Sequence, residues 1–384
     1  MPKRAVLNEK KVHEFLSSLF ADDLHAKRVL SLAHATLGVL QSASLAIHAI
    51  GLGMAEARGV SSKHAIKQVD RLLSNPGIIL WDLFALWVPF VLGDRKEIIV
   101  ALDWTEHDHD DQSTIALNLV TSHGRATPLL WKTVVKSKLA GCRNDYEDEV
   151  IERLAQVLPA GVRVTLLADR GFGDQKLYQL LSEIGLDYVI RFRDCIQVTS
   201  AEGQTLPAAQ FVPANGKTRM LRKAQVTDDR TPVPAVVCVK EPGMKEPWCL
   251  ATSRADLGPK QVVTLYGRRF SIEENFRDTK DQHFGLGLSA THIGEPARRD
   301  RLLLIAALAQ ALLTLLGAAG ESIGMDRMMK ANTAKHRTHS LFRQGLHYYR
   351  SIPNMPEHRL RPLIERFAQL VREQQVCVEI FGII

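Results

Sequence analysis

Four polar residues of one short segment have types and spacings suited to chemistry on phosphates. Tyr266, Arg269, Glu273 and Lys280 are separated by three, four and seven positions. At about 100° per residue on an α-helix, their side chains fall within about 60° of one another. A carboxylate flanked by cations suits a site where a metal ion and phosphates meet. The alternative is a solvated helix face carrying ion pairs one turn apart.

Two aspartates follow apolar runs that are typical of buried strands. Asp103 follows residues 98–102, and Asp169 follows residues 162–168. Because sites form where the carboxyl ends of neighbouring strands meet, the two carboxylates are expected to lie close together. With Glu273 they make three carboxylates without Cys or His neighbours, which suits Mg²⁺ or Mn²⁺. Phosphoryl transfer commonly uses two such ions.

A second polar segment, residues 106–111, reads Glu-His-Asp-His-Asp-Asp and also contains possible metal ligands. A zinc hydrolase would need its histidines at a fixed spacing on a helix, and that pattern is missing here. We therefore interpret this segment as a hydrophilic loop between two strands.

The first 75 residues show helical periodicity. A helix of small residues is predicted over residues 37–57. A second helix begins at Ser61 or Ser62 and stops at Asn75-Pro76. This second helix has a basic face, so the pair resembles a helix-turn-helix. The alternative is an ordinary amphipathic helix with no role in DNA binding.

From residue 97 the pattern changes to that of a mixed five-stranded sheet. Two helices, at residues 145–158 and 174–184, are interspersed, and the right-handed crossover rule makes the last two strands parallel. A β-rich segment then leads to an exit strand at Trp248. The strands are predicted at residues 98–102, 113–120, 128–135, 162–168 and 188–192.

One helix from about Pro259 to Lys280 is predicted to carry the four motif residues, with Leu265, Ile272 and Phe276 facing the core. The apolar run at residues 302–316 is shorter than the ~20 residues needed to span a bilayer. It is therefore predicted to be a buried core helix within residues 297–317.

The basic composition fits a polyanionic partner but does not require one, and the cysteines indicate a reducing compartment. The net charge is +7, and the five cysteines contain no CxxC pair, so free thiols in a reducing compartment are expected. The beginning of the chain has no apolar run and is not interpreted as a signal peptide. No membrane association is predicted.

The chain resembles the DDE transposases of bacterial insertion sequences that carry a Tyr-x2-Arg-x3-Glu-x6-Lys motif. Tyr266, Arg269, Glu273 and Lys280 match all four letters. Two further sequences, Leu-Asp-Trp-Thr around residue 103 and Ala-Asp-Arg-Gly-Phe around residue 169, look like those of the family's two catalytic aspartates. The resemblance covers residues 95–320 and includes the β-rich insertion before the glutamate helix.

This resemblance implies an α/β fold with an RNase H-like mixed five-stranded sheet and helical terminal regions. Residues 1–80 would form a helical DNA-binding domain. Residues 95–194 and 248–320 would form the catalytic domain, interrupted by the β-rich insertion at 195–247. Residues 321–384 would form a helical C-terminal region.

The resemblance also implies the chemistry. Asp103, Asp169 and Glu273 would bind two Mg²⁺ ions, or Mn²⁺, which would activate water and then the freed 3′-hydroxyl. Members with this motif form and then open a hairpin on the element end. Tyr266, Arg269 and Lys280 would hold DNA phosphates. Trp248 is similar to a tryptophan that stacks on a flipped base, and the equal alternative is a core residue.

The implied protein is a cut-and-paste transposase acting in the cytoplasm, at the bacterial nucleoid. Its partners would be the element's terminal inverted repeats, target DNA and a second copy of itself. Two alternatives stay open. One is a metal-dependent nuclease of the same fold that cuts without joining. The other is a DNA-binding relative whose catalytic domain has decayed, although the intact motif speaks against it.

Overall fold

The computed structural model describes residues 7–372, apart from Ser122, Gly124 and Phe284. The end of the predicted C-terminal region, with Cys377, lies outside the described residues. The helices are α1 Glu9–Phe20, α2 Ala26–Ser42, α3 Ile47–Arg58, α4 Ser62–Leu73, α5 Leu80–Leu92, α6 Arg143–Val157, α7 Gln175–Glu183, α8 Pro259–Gly267, α9 Ser271–Lys280, α10 Pro296–Ser322, α11 Leu341–Ser351 and α12 Glu357–Arg372.

The strands form one sheet in the order β3-β2-β1-β4-β5-β10-β9-β8-β6-β7. They are β1 Glu97–His107, β2 Gln112–Val120, β3 Ala126–Val135, β4 Arg163–Ala168, β5 Asp187–Phe192, β6 Gln197–Thr199, β7 Thr205–Pro207, β8 Arg219–Val226, β9 Thr231–Val239 and β10 Trp248–Thr252. β1 is parallel to β4, and β4 is parallel to β5. The predicted α/β class, with its hairpin strands followed by parallel ones, is confirmed.

The β-rich segment extends this sheet instead of forming a separate one. β10 pairs with β5 on one side and with β9 on the other, so the sheet grows to ten strands. The sequence predicted the five strands β1–β5 of the RNase H-like part and the exit strand β10, and β9, β8, β6 and β7 complete the ten. Because Trp248 begins β10, the segment delivers this side chain to the middle of the sheet.

The N-terminal region is helical, as predicted, but its boundaries differ. The helix predicted over residues 37–57 is two helices, α2 and α3, which are bent by 97°. Ala43 ends α2 in the left-handed conformation, with φ of 49°. A helix that the sequence analysis did not predict, α5, packs against β3. Its Trp87 indole donates to the carbonyl of Pro128 at 2.9 Å.

The helix that carries the motif is interrupted. α8 and α9 are joined by a 3-10 turn at Arg268–Phe270, so the single helix predicted from about Pro259 to Lys280 is two α-helices that follow each other without a loop. Leu265 and Ile272 are buried against the sheet, as predicted, and Phe276 is partly buried there. The turn changes the helical phase between Tyr266 and Glu273.

The long apolar helix α10 is a core helix, as predicted. It is long and apolar enough to cross a membrane, yet 89% of its most apolar window is buried inside the protein. Near its start, the fully buried Arg299 pairs with Asp110 and donates to the side chain of Gln112 at 2.6 Å. These contacts fix the turn between β1 and β2 against the helix.

Close packing of α11 on α10 depends on two glycines. A Cβ added at Gly345 would lie 1.8 Å from the carbonyl oxygen of Leu313, and one at Gly317 would lie 1.9 Å from that of Leu341. Backbone atoms cannot yield as a side-chain end can, so the helices would have to separate.

We predict that Gly345→Ala lowers the free energy of unfolding by about 3 kcal/mol, because the added methyl overpacks the α10–α11 contact. Urea denaturation followed by circular dichroism measures this change. Gly267→Ala is the matched control, since Gly267 also lies in a helix and a Cβ there meets nothing within 4 Å. Equal effects of the two substitutions would contradict the packing argument.

Candidate active site at the carboxyl end of the sheet

Asp103 and Asp169 project from the same face of the sheet. Ala101 and Leu167 belong to a buried cluster that includes Tyr266, which lies on the helical segment packed across that face. Side chains alternate along a strand, so each aspartate, two positions further on, points to the same side. Asp169 directly follows β4, but Asp103 lies inside β1, which continues to His107, so the predicted end of this strand at Leu102 is wrong. The parallel pairing of β1 with β4 stops at Leu102 and Ala168, and both carboxylates lie just beyond it, beneath the motif helix.

The next two strands add Arg191 and Trp248 to this face. Val189 and Leu250 belong to the same buried cluster, and each lies two positions from one of these residues. Arg191 pairs with Leu250 across β5 and β10. The sequence analysis did not single out Arg191. The rule applied to Asp103 and Asp169, a polar residue at the end of an apolar strand, would have found it.

Arg269 joins β1 to the motif helix. Its guanidinium is almost fully buried and lies between two carboxylates, with Nη1 3.2 Å from Oδ2 of Asp103 and Nη2 2.8 Å from Oε1 of Glu273. Ion pairs of this kind are charge-assisted and directional. The first and third residues of the predicted triad are therefore held together by a cation from the protein itself.

The electrostatics of Asp103 reflect crowding of negative charge in a buried place. Burial raises the pKa of Asp103 to about 6, Arg269 opposes the rise, and Asp169 and Glu273 add to it. The side chain of Asp103 is 19% exposed. The negative charge of Asp103 is only partly balanced by Arg269, and this favours binding of a further cation.

Asp169 and Glu273 are more open. Asp169 accepts a hydrogen bond from the backbone N–H of Gly171 at 2.7 Å, and so caps the turn that follows β4. The Glu273 side chain is 52% exposed. These two carboxylates can change rotamer at little cost in packing, unlike Asp103.

The donor set fits a hard divalent cation, since three carboxylates meet here without a thiol or imidazole. As placed, no three His, Cys, Asp or Glu side chains of the described residues are arranged to hold one ion. The physical reason is the guanidinium of Arg269, which lies between Asp103 and Glu273. Binding a metal here requires Arg269 to give up at least one carboxylate.

An aromatic group flanks the carboxylates. Trp248 contacts Tyr266 edge to face at 4.9 Å between ring centroids and lies 6.2 Å from the ring of Phe270. Tyr266 is fully buried, and burial raises the pKa of its hydroxyl. Trp248 is only partly buried, and the Phe270 residue is 44% exposed. An aromatic surface is thus open to solvent beside Arg269.

Lys280 does not join the carboxylates. Its ammonium donates to the carbonyl of Glu106 at 2.5 Å, near the end of β1, and burial lowers its pKa. The polar segment predicted as a loop is the end of β1 and a 3-10 turn at Asp108–Asp110. Its Asp110 pairs with Arg299, which gives it a structural role.

An RNase H-like sheet with carboxylates on two central parallel strands, and a third on a helix across them, is typical of transposase- and nuclease-type enzymes. The family model of the transposase DDE domain matches residues 95–312, which is more than half of the chain. The chain therefore belongs to the transposase DDE domain family. A search of curated proteins found no match.

We predict that Mg²⁺ or Mn²⁺ raises the melting temperature at about pH 7.5 and that this gain disappears near pH 5. Because the raised pKa of Asp103 is about 6, protons occupy this carboxylate below that pH and compete with the metal. Apparent metal affinity should fall about tenfold per pH unit there. Differential scanning fluorimetry measures the shifts. Asp103→Asn should show no gain at either pH, and a gain in that variant would contradict the assignment.

Proposed function

We propose that this protein is the transposase of a bacterial insertion sequence. It binds the terminal inverted repeats of the element, cleaves DNA by metal-dependent phosphoryl transfer and joins the 3′ ends to target DNA. The observation that carries this proposal is the convergence of Asp103, Asp169 and Glu273 around the buried guanidinium of Arg269. Membership of the transposase DDE domain family supports it.

In this proposal Asp103, Asp169 and Glu273 are the metal ligands. Two divalent ions, when bound, supply an activated oxygen nucleophile and stabilise the leaving oxygen. Asp103 is the fixed ligand, because it is buried and anchored by the N–H of Trp104 at 2.9 Å. Glu273 is the adaptable one, since half of its side chain is exposed.

Arg269 has two tasks in succession. In the free protein it pairs with both Asp103 and Glu273, partly compensates their charge and fixes the distance between strand and helix. A guanidinium released from these carboxylates would be able to bind a DNA phosphate through two parallel hydrogen bonds. Lys280, the last residue of α9, would contact a phosphate further along the DNA strand as a point charge. Tyr266 is buried, and its role is to position Arg269 and Trp248.

The remaining DNA contacts belong to the N-terminal region and to a second subunit. The exposed face of α4 carries Lys63, His64, Lys67 and Arg71, and Gly59 makes the left-handed turn before it. An exposed basic helix face after a tight turn supports a role for α4 in DNA binding. Since a cut-and-paste reaction must hold two element ends together, the active assembly is a homodimer on DNA.

We predict that Asp103→Asn, Asp169→Asn and Glu273→Gln each abolish Mg²⁺-dependent nicking of element ends but retain end binding. Each change removes a metal ligand with almost no change in side-chain volume. Nicking of a labelled duplex on a denaturing gel and binding by mobility shift are the two measurements. Glu274→Gln, one position along the same helix, is the matched control and should still nick. Substantial nicking by a triad variant would refute the metal-ligand assignment.

A nuclease of the same fold is the second candidate, since the same three carboxylates would serve cleavage without joining. Strand-transfer assays with pre-cut ends separate the two. A transposase joins the 3′ ends to target DNA, whereas a plain nuclease cuts and never joins. A decayed DNA-binding relative would bind ends but neither nick nor join them.

Trp248 is the residue we assign to hairpin formation. Its partly exposed ring, beside Phe270 and the carboxylates, suits stacking on a base that leaves the helix at a tight hairpin. Such stacking stabilises by about 1–3 kcal/mol per base.

We predict that Trp248→Ala slows hairpin formation by about ten- to a hundredfold and leaves the first nick nearly unchanged. Single-turnover assays that resolve nicked, hairpin and opened products measure both steps. Trp248→Phe keeps an aromatic face and should retain most of the rate. Equal slowing of nicking and hairpin formation would show instead that Trp248 acts as a packing residue.

A further inference from the structure

Two arginines lie immediately beside Asp169. Arg170 follows it in the chain, at the start of the turn after β4. Arg191 lies one position past Ile190, which pairs with Ala168 in the parallel β4–β5 register. Neighbouring strands are about 4.8 Å apart, so Arg191 lies next to Asp169 on the same sheet face.

Both guanidiniums converge on a single carboxylate oxygen. Oε2 of Glu246 is 2.7 Å from Nη1 of Arg170 and 2.8 Å from Nη2 of Arg191. Glu246 lies in the loop between β9 and β10, two residues before Trp248. Arg191 is also anchored by the carbonyl of Pro247 at 3.2 Å. Two guanidiniums directed at one oxygen form a site that a phosphate oxygen fits equally well.

The contact with Glu246 is weak enough for a phosphate to replace it. The side chains of Glu246 and Arg170 are 53% and 52% exposed, so their ion pair contributes little and is easily displaced. Arg191 is only 18% exposed, and among the described residues its buried Nε has no hydrogen-bond partner. A phosphate has more acceptor oxygens than one carboxylate, so it can bind the two guanidiniums through separate oxygens.

We propose that Arg170 and Arg191 form a phosphate-binding subsite for the DNA strand beside Asp169, and that Glu246 occupies this subsite in the free protein as an internal competitor. The inference rests on the proposed function for the identity of the ligand. DNA entry then exchanges an internal ion pair for a phosphate contact. Because Glu246 lies so close to Trp248 in the chain, displacing it also frees the loop next to the aromatic surface.

The test is DNA binding without metal, so that no cleavage intervenes. A fluorescent blunt-ended duplex suffices, because phosphate contacts carry no sequence information. Anisotropy titrations over a range of salt give the affinity and its salt dependence. Glu246→Gln removes the competitor and should tighten binding by up to about fivefold. Glu241→Gln, the same charge change in the same exposed loop, is the matched control and should have little effect.

Loss of either arginine should weaken DNA binding, in contrast to Glu246→Gln. Arg191→Gln and Arg170→Gln should each weaken binding and reduce the slope of log affinity against log salt by about 1, the value for one phosphate contact. Arg170 is half exposed, so its variant tests the subsite even where the Arg191 variant folds poorly.

The decisive comparison is Glu246→Gln in the Arg170→Gln, Arg191→Gln background, where no guanidinium is left to release. The gain in affinity should vanish there. A gain that persists, or an equal gain from Glu241→Gln, overturns the subsite, because general charge then explains it. Failure to nick with Mg²⁺ would instead overturn the transposase proposal and leave these binding differences unaffected.

Discussion

The buried ion bridge made by Arg269 is the interaction on which the candidate site depends. Asp103 and Glu273 come from a strand and a helix, and carboxylates on a largely apolar sheet face would otherwise repel each other and lose hydration. A single guanidinium compensates both and fixes the distance between strand and helix. Asp103 nevertheless keeps a pKa raised to about 6, so the compensation is partial. The site is therefore assembled in advance and still favours additional positive charge.

The scaffold around this bridge is built to hold it in place. Parallel pairing of β1 with β4 brings the two aspartates to one edge, and α10 supports the opposite end of the motif helix. Gln310 of α10 donates to the hydroxyl of Thr279 in α9 at 3.0 Å, and both side chains are buried. Rigid support of this kind is what a site needs when its ligands come from separate elements.

Much of this arrangement could be predicted from the sequence, because strand ends and helical spacing are local signals. Asp103, Asp169 and the buried face of the motif helix follow from apolar runs and periodicity. The pair of Arg269 with Glu273, one helical turn apart, was among the alternatives, but the contact of Arg269 with Asp103 could not be predicted, since it depends on how the motif segments pack across the sheet. The bend at Ala43 could not be predicted either, because a left-handed backbone is usually indicated by glycine and this position is an alanine.

The ten-stranded sheet has a mechanical consequence. β10, which begins with Trp248, and β4, which precedes Asp169, are both hydrogen-bonded to β5, so aromatic surface and aspartate move as one body. Accommodation of differently shaped DNA intermediates must then come from the other wall of the cleft. The 3-10 turn between α8 and α9 interrupts the helix on that side of the cleft. A small rotation at this turn would move Arg269 and Glu273 together relative to the sheet.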